Sequence, residues 1–426
     1  MAKEAVVNAL LSGFMHVGLT LVLIVYLPIA FLCRLLARVF VRPFSSGEDL
    51  RGKVVLVTGA SSGIGEVSSF VSAGVPFCLL ALTCSTRLHV VAPLLPSPTQ
   101  PVAAVLRASV HVAMYTRYTI SFVRACVRAA YSAWHHLVYE YARKGACVAL
   151  VARTEIALRA VAKTARDLGA PDVLVVPADI TKVDEAKRAV EETVAHFGKL
   201  NHLVANAGIW SSCFFEEITN ITAFQNIIDL NFWGAVYPTY FALPYLKASR
   251  GNIVVTSSVA GRVPTARMSF YNASKGAVIR FYETLRAELG FHVRVTILMP
   301  GYVVSNLTMG KGLQKDGHVG IDEEARDINV GPMPVGKTES LAAVVVASVR
   351  RGDYYVTWPG WYWPFHMVMC AAPELVDWFS RTFYVSKSGE QEGGAALSKK
   401  ILEAVGGKKF LYPKTIRSQA GAMAAN

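Results

Sequence analysis

The chain opens on a long apolar run and then changes rhythm. From Ala5 to Cys33 there is no Asp, Glu, Lys or Arg. After that, short β-branched runs alternate with amphipathic stretches of helical period. Lys53–Thr58, Ala146–Ala152, Val173–Asp179, Leu200–Ala205 and Asn252–Thr256 read as five strands. A sixth closes at Pro300-Gly301, and Asp353–Thr357 reads as a last one. Arg267–Leu289 has the pattern of a long helix, and Pro373 to Tyr384 that of an apolar one. Strands alternating with helices predict an α/β fold: a doubly wound parallel sheet behind an N-terminal hydrophobic helix. The segments expected are 1–43 (anchor), 44–360 (sheet domain) and 361–426 (apolar helix and basic tail).

One stretch breaks the alternation. Residues 67–135 contain no Asp, Glu or Lys, carry Arg87, Arg107, Arg117, Arg124 and Arg128, and cluster Pro93, Pro96, Pro98 and Pro101. Excising them joins Gly63-Ile-Gly-Glu66 to His136–Gly145 as one amphipathic helix and brings the second strand to the usual distance from the first. The stretch reads as a foreign insertion, with the composition of an intron translated in frame. Read instead as a second membrane segment, Phe70–Leu82 is short, because a spanning helix needs roughly 20 residues.

The apolar N-terminus exceeds that length and outruns a signal-peptide core. Pro28 lies inside it, so a tilted span and a segment lying in one leaflet both fit. Arg34, Arg38 and Arg42 follow at helical spacing; for a span they keep the following domain on the cytosolic side. Composition agrees: 53% apolar and 17% charged is too greasy for an ordinary soluble domain and too charged for a polytopic one. The net charge of +13 comes with no zinc-finger, basic-zipper or RNA-binding signature, so an anionic membrane surface is the expected partner and nucleic acid is not. The seven cysteines are scattered with no C-x-x-C pair, which predicts reduced thiols and neither a disulfide framework nor a metal site.

The chemistry begins after the first strand, at Gly59-Ala-Ser61-Ser62-Gly63-Ile64-Gly65. Three glycines spaced this way permit a tight turn, close approach of backbone to a pyrophosphate, and close helix–sheet packing. The second strand ends Ala152-Arg153-Thr154, without the acid that would hold a ribose 2′-hydroxyl. Arg153 supplies a cation suited to a 2′-phosphate, which favours NADP(H) over NAD(H). Tyr271 and Lys275, four apart, project from one helical face. An ammonium nearby favours a phenolate over a phenol of pKa about 10.

Taken with Asn206-Ala207-Gly208 and Ser258, these motifs resemble the short-chain dehydrogenase/reductase family over residues 52–66 and 137–305. The resemblance implies a Rossmann-type fold and an alcohol/ketone oxidoreductase. It implies Tyr271 as acid/base, Lys275 as ribose ligand, Ser258 as the group polarising the substrate oxygen, and Asn231 as a support for the proton relay. It also implies Asp179 beside the adenine, Asn206-Ala207-Gly208 and Pro300 beside the cofactor, Val303 and Ser305 at the nicotinamide amide, a mobile substrate loop over Tyr302–Gln314, and a homodimer. Each residue has a plainer reading: Arg153 as a surface charge, Asp179 as a helix cap, Ser258 as a strand-end cap, Tyr271 and Lys275 as a surface pair.

Trp358–Cys370 is rich in Trp and Tyr, which fits either a cap over a substrate pocket or an interfacial patch. The tail around Leu397–Lys400 and Leu411–Lys414, with the proline-containing anchor, resembles plant steroleosins and the 11-beta-hydroxysteroid dehydrogenase-like group. That resemblance implies a sterol-like substrate and an endoplasmic-reticulum or lipid-droplet surface. The alternatives are a reductase of another lipid carbonyl, and a non-catalytic droplet-surface protein that keeps the fold.

Overall fold

The computed structural model describes residues 22–36, 47–60, 135–305, 307–385, 396–408 and 412. The chain divides into two units, Met1–Glu48 and Asp49–Asn426. In the first, a π-turn (Val22–Tyr26) runs into α1 (Leu27–Leu36). The winding changes one residue before Pro28, whose missing N–H cannot serve a regular ladder. Ile24, Tyr26, Ile29, Phe31 and Leu32 are exposed. No described helix is long and apolar enough to cross a membrane, and the rest of the expected anchor lies outside the described residues.

The second unit is built on a seven-stranded parallel sheet, ordered β3-β2-β1-β4-β5-β6-β9. Its strands are β1 (Val54–Thr58), β2 (Cys147–Ala152), β3 (Val173–Pro177), β4 (His202–Ala205), β5 (Asn252–Thr256), β6 (Arg294–Pro300) and, last in the chain, β9 (Tyr355–Trp358). β1 is central, pairing with β2 at Val55↔Val148 and with β4 at Val55↔His202. Both of its faces are covered, which is why it reads as an unbroken apolar run rather than an alternating one. Val55 and Val57 enter a core formed with α2 (His135–Arg143), α3 (Glu155–Asp167) and α9 (Thr338–Arg351). Val54 and Leu56 enter the opposite core, formed with α4 (Val183–Phe197), α6 (Gly234–Ser249) and α7 (Ser269–Leu289). A short α5 (Gln225–Ile228) precedes α6.

Three boundaries differ from the sequence reading. β3 stops at Pro177, because Asp179 is spent on a turn: its Oδ1 accepts from the Thr181 N–H at 3.0 Å and from the Thr181 hydroxyl at 2.8 Å. The last strand runs one residue further, to Trp358. His135, assigned to the insertion, is the buried first residue of α2, its ring 5.2 Å from that of Tyr139. Burial pushes its imidazole down to about 3. The rest of the insertion lies outside the described residues.

Beyond β6 the chain builds a small hairpin, β7 (Lys311–Leu313) with β8 (Val319–Ile321), and then α8 (Glu323–Val330). After β9 come α10 (Trp363–Ala371), α11 (Pro373–Tyr384) and α12 (Leu397–Ala404).

Candidate active site

The strand order reverses between β1 and β4, and a crevice at the carboxyl ends of strands on either side of such a point is where nucleotides bind in open α/β sheets. A cavity of about 720 Å³ lies there. Gly59, Arg153, Asp179, Asn206, Ala207 and Gly208 line it, as do Ser258, Tyr271, Lys275, Pro300, Val303 and Ser305. Ser61, Ser62, Gly63, Ile64 and Gly65 lie outside the described residues.

The catalytic groups are set by the ends of β4 and β5. Thr256 ends β5; its hydroxyl donates to Asn206 Oδ1 at 2.9 Å, and its carbonyl accepts from Lys275 Nζ at 3.0 Å. The Ser257 hydroxyl donates to the Lys275 carbonyl at 2.8 Å, fastening α7 to the strand end. Ser258 caps the 3-10 turn Val259–Gly261, accepting from the Ala260 N–H at 3.2 Å, and its hydroxyl donates to the Pro300 carbonyl at 3.4 Å. Its plain role as a cap and its place in the site therefore coexist. Tyr271 and Ser258 share a side-chain hydrogen bond. Lys275 Nζ lies 5.9 Å from the centre of the Tyr271 ring.

Both groups are almost sealed, Tyr271 at 8% and Lys275 at 3% exposure. Burial pushes the phenol up to about 12, with Ser258 acting against it, and pushes the ammonium down to about 8. The expected lowering of the phenol by Lys275 is thus outweighed by desolvation of the phenolate. Tyr271 is held as a proton carrier.

Asn231 does not line the cavity. It sits in a π-turn (Asp229–Trp233), and its amide is committed elsewhere. Oδ1 accepts from the Ile209 N–H at 2.8 Å; Nδ2 donates to the Ile209 carbonyl at 2.9 Å and to Ser274 Oγ at 2.8 Å. Ser274 in turn donates to the Tyr271 carbonyl at 2.8 Å. Asn231 therefore ties the Asn206–Gly208 turn to the helix that carries Tyr271.

Several observations fit this cavity to a nicotinamide dinucleotide. Gly59 has φ +70, and a Cβ there would fall 2.7 Å from Ala207 Cα. A Cβ on Gly208 would fall 3.2 Å from Lys275 Nζ. Asn206 Nδ2 is buried with no partner, a donor awaiting an acceptor. Val303 bridges to Gly336 through the N–H of Val304 and the carbonyl of Tyr302, so its own N–H faces the other edge. Ser305 lines the cavity, but its backbone N–H and carbonyl are both engaged by Thr308 Oγ1, at 2.9 and 3.0 Å. Asp179 lines the cavity as well, and is not the cap of α4, which is Lys182.

The other half of the cavity is apolar, lined by Trp210, Met268 and Leu307 and by Tyr362, Phe365, Val376 and Phe379 of the C-terminal elements. The loop expected to be mobile is pinned on this side. Trp210 Nε1–H donates to the Lys311 carbonyl at 2.5 Å, and the Leu313 N–H to the Trp210 carbonyl at 2.8 Å. Gly312 allows that approach, since a Cβ there would fall 2.6 Å from Trp210 Nε1. Trp210, Tyr302 and Thr308 escape a motif-based reading because each acts through a backbone group of a distant or irregular segment. Only Thr308, three residues after Ser305, has a local capping pattern as a signal.

A family model described as short chain dehydrogenase matches residues 135–316. The chain is 46% identical over 281 residues to 11-beta-hydroxysteroid dehydrogenase A of Sesamum indicum, covering 66% of this chain and 80% of that protein. It is 38% identical over 393 residues to 11-beta-hydroxysteroid dehydrogenase 1A of Arabidopsis thaliana, covering 92% of both. Among solved structures, a short chain dehydrogenase/reductase from Burkholderia phymatum in complex with NAD aligns with TM-score 0.52 at 18% identity, over 77% of this chain and 96% of that one. One from Mycobacterium marinum aligns with TM-score 0.51 at 20% identity, over 74% and 97%. The glycine-flanked crevice, the Ser258–Tyr271–Lys275 grouping and these likenesses converge: the chain belongs to the short-chain dehydrogenase/reductase family of oxidoreductases, with relatives among plant 11-beta-hydroxysteroid dehydrogenases.

Proposed function

We propose that this oxidoreductase uses NADP(H) to interconvert a secondary alcohol and a ketone on a hydrophobic, sterol-like molecule at a membrane or lipid-droplet surface. One observation carries the reading: Ser258, Tyr271 and Lys275 stand where the polar and apolar halves of one cavity meet. When bound, the nicotinamide gives or takes the hydride. Ser258 Oγ hydrogen-bonds the substrate oxygen, and Tyr271 Oη passes its proton to that oxygen as charge develops there. Burial keeps the phenol protonated near neutrality, the form that reduction of a ketone requires. Lys275 has three N–H donors and gives one to Thr256; the others would hold the nicotinamide ribose, and its charge offsets a phenolate in the reverse direction. Arg153 would hold a 2′-phosphate at the end of β2, where no carboxylate repels it.

The apolar lining supports a lipophilic substrate. The surface reading is supported by apolar side chains left in the open on α10 and α11, Trp363 at 51% and Trp378 at 63% among them, and by those of α1. The test is cofactor oxidation with a panel of keto-steroids and long-chain ketones, using NADPH and NADH in turn, for the wild type and Tyr271→Phe. Tyrosine-dependent NADPH oxidation with steroid ketones is expected. Turnover that survives in the phenylalanine variant, or none with any ketone, would overturn the reading.

A further inference from the structure

Tyr302 follows Gly301 directly after β6 and lines the cavity. Its other side belongs to a separate small core: Met309, Val330, Leu402 and Tyr412, with Tyr302, Val304 and Val335 packed against them. Two of those residues, Leu402 and Tyr412, come from the C-terminal segment. The Tyr302 hydroxyl donates to the Asn329 carbonyl of α8 at 2.6 Å and shares a hydrogen bond with Tyr384.

Helix α8 is in turn gripped by the same C-terminal segment. The Ser398 hydroxyl donates to the Ile328 carbonyl at 2.8 Å, and Lys399 pairs with Glu324 at 2.9 Å. Lys408 pairs with Asp327 at 2.5 Å, and the Arg326 guanidinium lies 5.9 Å over the Tyr412 ring. Asp327 and Arg326 are themselves buried and paired at 2.9 Å. Breaking one partner of a buried pair leaves an uncompensated charge, so Lys408 is not a dispensable surface contact.

We propose that the C-terminal segment, through Leu402, Lys408 and Tyr412, is the outer wall of the substrate chamber, and that by holding Tyr302 in place it sets discrimination among bulky substrates. Tyr302 is the specificity-determining residue; Leu402 and Lys408 are positioning residues that act through it. The proposal rests on the ketone-reductase reading for its kinetic arm and on packing alone for its second arm.

The test uses full-length protein carrying Lys408→Glu, Lys408→Arg or Leu402→Ala. Cortisone serves as the bulky ketone and cyclohexanone as the small one. Three quantities are read: KM for each ketone, NADPH affinity by fluorescence, and amide hydrogen exchange across residues 302–330. In K408E and L402A the cortisone KM is expected to rise ~10-fold, the scale at which pocket shape discriminates. The cyclohexanone KM and NADPH affinity should stay within about twofold, exchange across 302–330 should speed up, and K408R should restore wild-type values. Unchanged exchange and cortisone KM in folded K408E and L402A would overturn the proposal, and so would NADPH affinity falling by the same factor as cortisone affinity. If neither ketone is turned over by the wild type, the functional reading fails, and the exchange data still decide whether the segment holds the wall.

Discussion

Replacing Lys275 by methionine is expected to make the folded protein more stable near neutrality and almost inactive. The ammonium is buried at 3% exposure with a single printed partner, the Thr256 carbonyl, and burial holds it at about 8 against the ordinary 10.5. Between those two values the unfolded chain carries a proton at this position that the folded chain lacks. Wild-type stability therefore rises with pH across that window, and the whole penalty is present below it. A gap of about 2.5 pH units corresponds to about 3.4 kcal/mol, a large share of a typical stability of roughly 5–15 kcal/mol. Methionine keeps the length of the chain and has no charge to desolvate. Urea unfolding of both proteins from about pH 7 to pH 10.5 isolates the effect, because the other titrating groups largely cancel in the difference. The stability advantage of K275M should shrink by about 3 kcal/mol over that range, while its turnover stays ~100-fold or more below wild type. A difference that is flat with pH would show that Lys275 is not desolvated as the geometry requires.

Arg153→Ala should weaken NADPH binding ~10-fold or more and leave NADH nearly unaffected, read as the ratio of the two dissociation constants. Gly59→Ala should abolish nucleotide binding and lower stability by roughly 1–3 kcal/mol in urea melts, because its Cβ collides with Ala207 at a left-handed backbone position. Asn231→Ala should reduce kcat more than NADPH affinity, since it loosens the tie between the Ile209 backbone and the Tyr271 helix; equal losses in both would contradict that assignment. Removing residues 67–134, so that α2 follows the glycine loop directly, should tighten NADPH binding in a direct titration, and unchanged affinity would count against the idea that the insertion weakens the phosphate-facing helix.

The strands and the catalytic grouping were legible because their signals are local. β1 is a continuous β-branched run since both faces are covered, and Tyr271 and Lys275 sit one turn apart on one helix. Ser258 follows the end of β5, so strand and motif support each other. What escaped depends on contacts without a local pattern. The Lys399–Glu324 pair joins residues 75 apart, and no periodicity announces it. The grip of Trp210 on Lys311 runs from an indole to a backbone carbonyl, which any residue could have provided. The electrostatics were misjudged for a related reason: spacing shows that an ammonium is near a phenol, but not that both are sealed from water.

The closeness of Gly301 to Tyr362 also constrains how this enzyme can change. A methyl group on residue 301 would land on the Tyr362 ring, which stacks on Trp361 with centroids 3.8 Å apart. Neither position can be altered alone without evicting its neighbour, so the two behave as one unit in any mutational path. Phe365 and Val368 line the same chamber without this interlock to the catalytic strand. New preferences are therefore expected to arise by exchange along α10 and α11, with the Gly301–Tyr362 contact left as the fixed hinge around which such tuning happens.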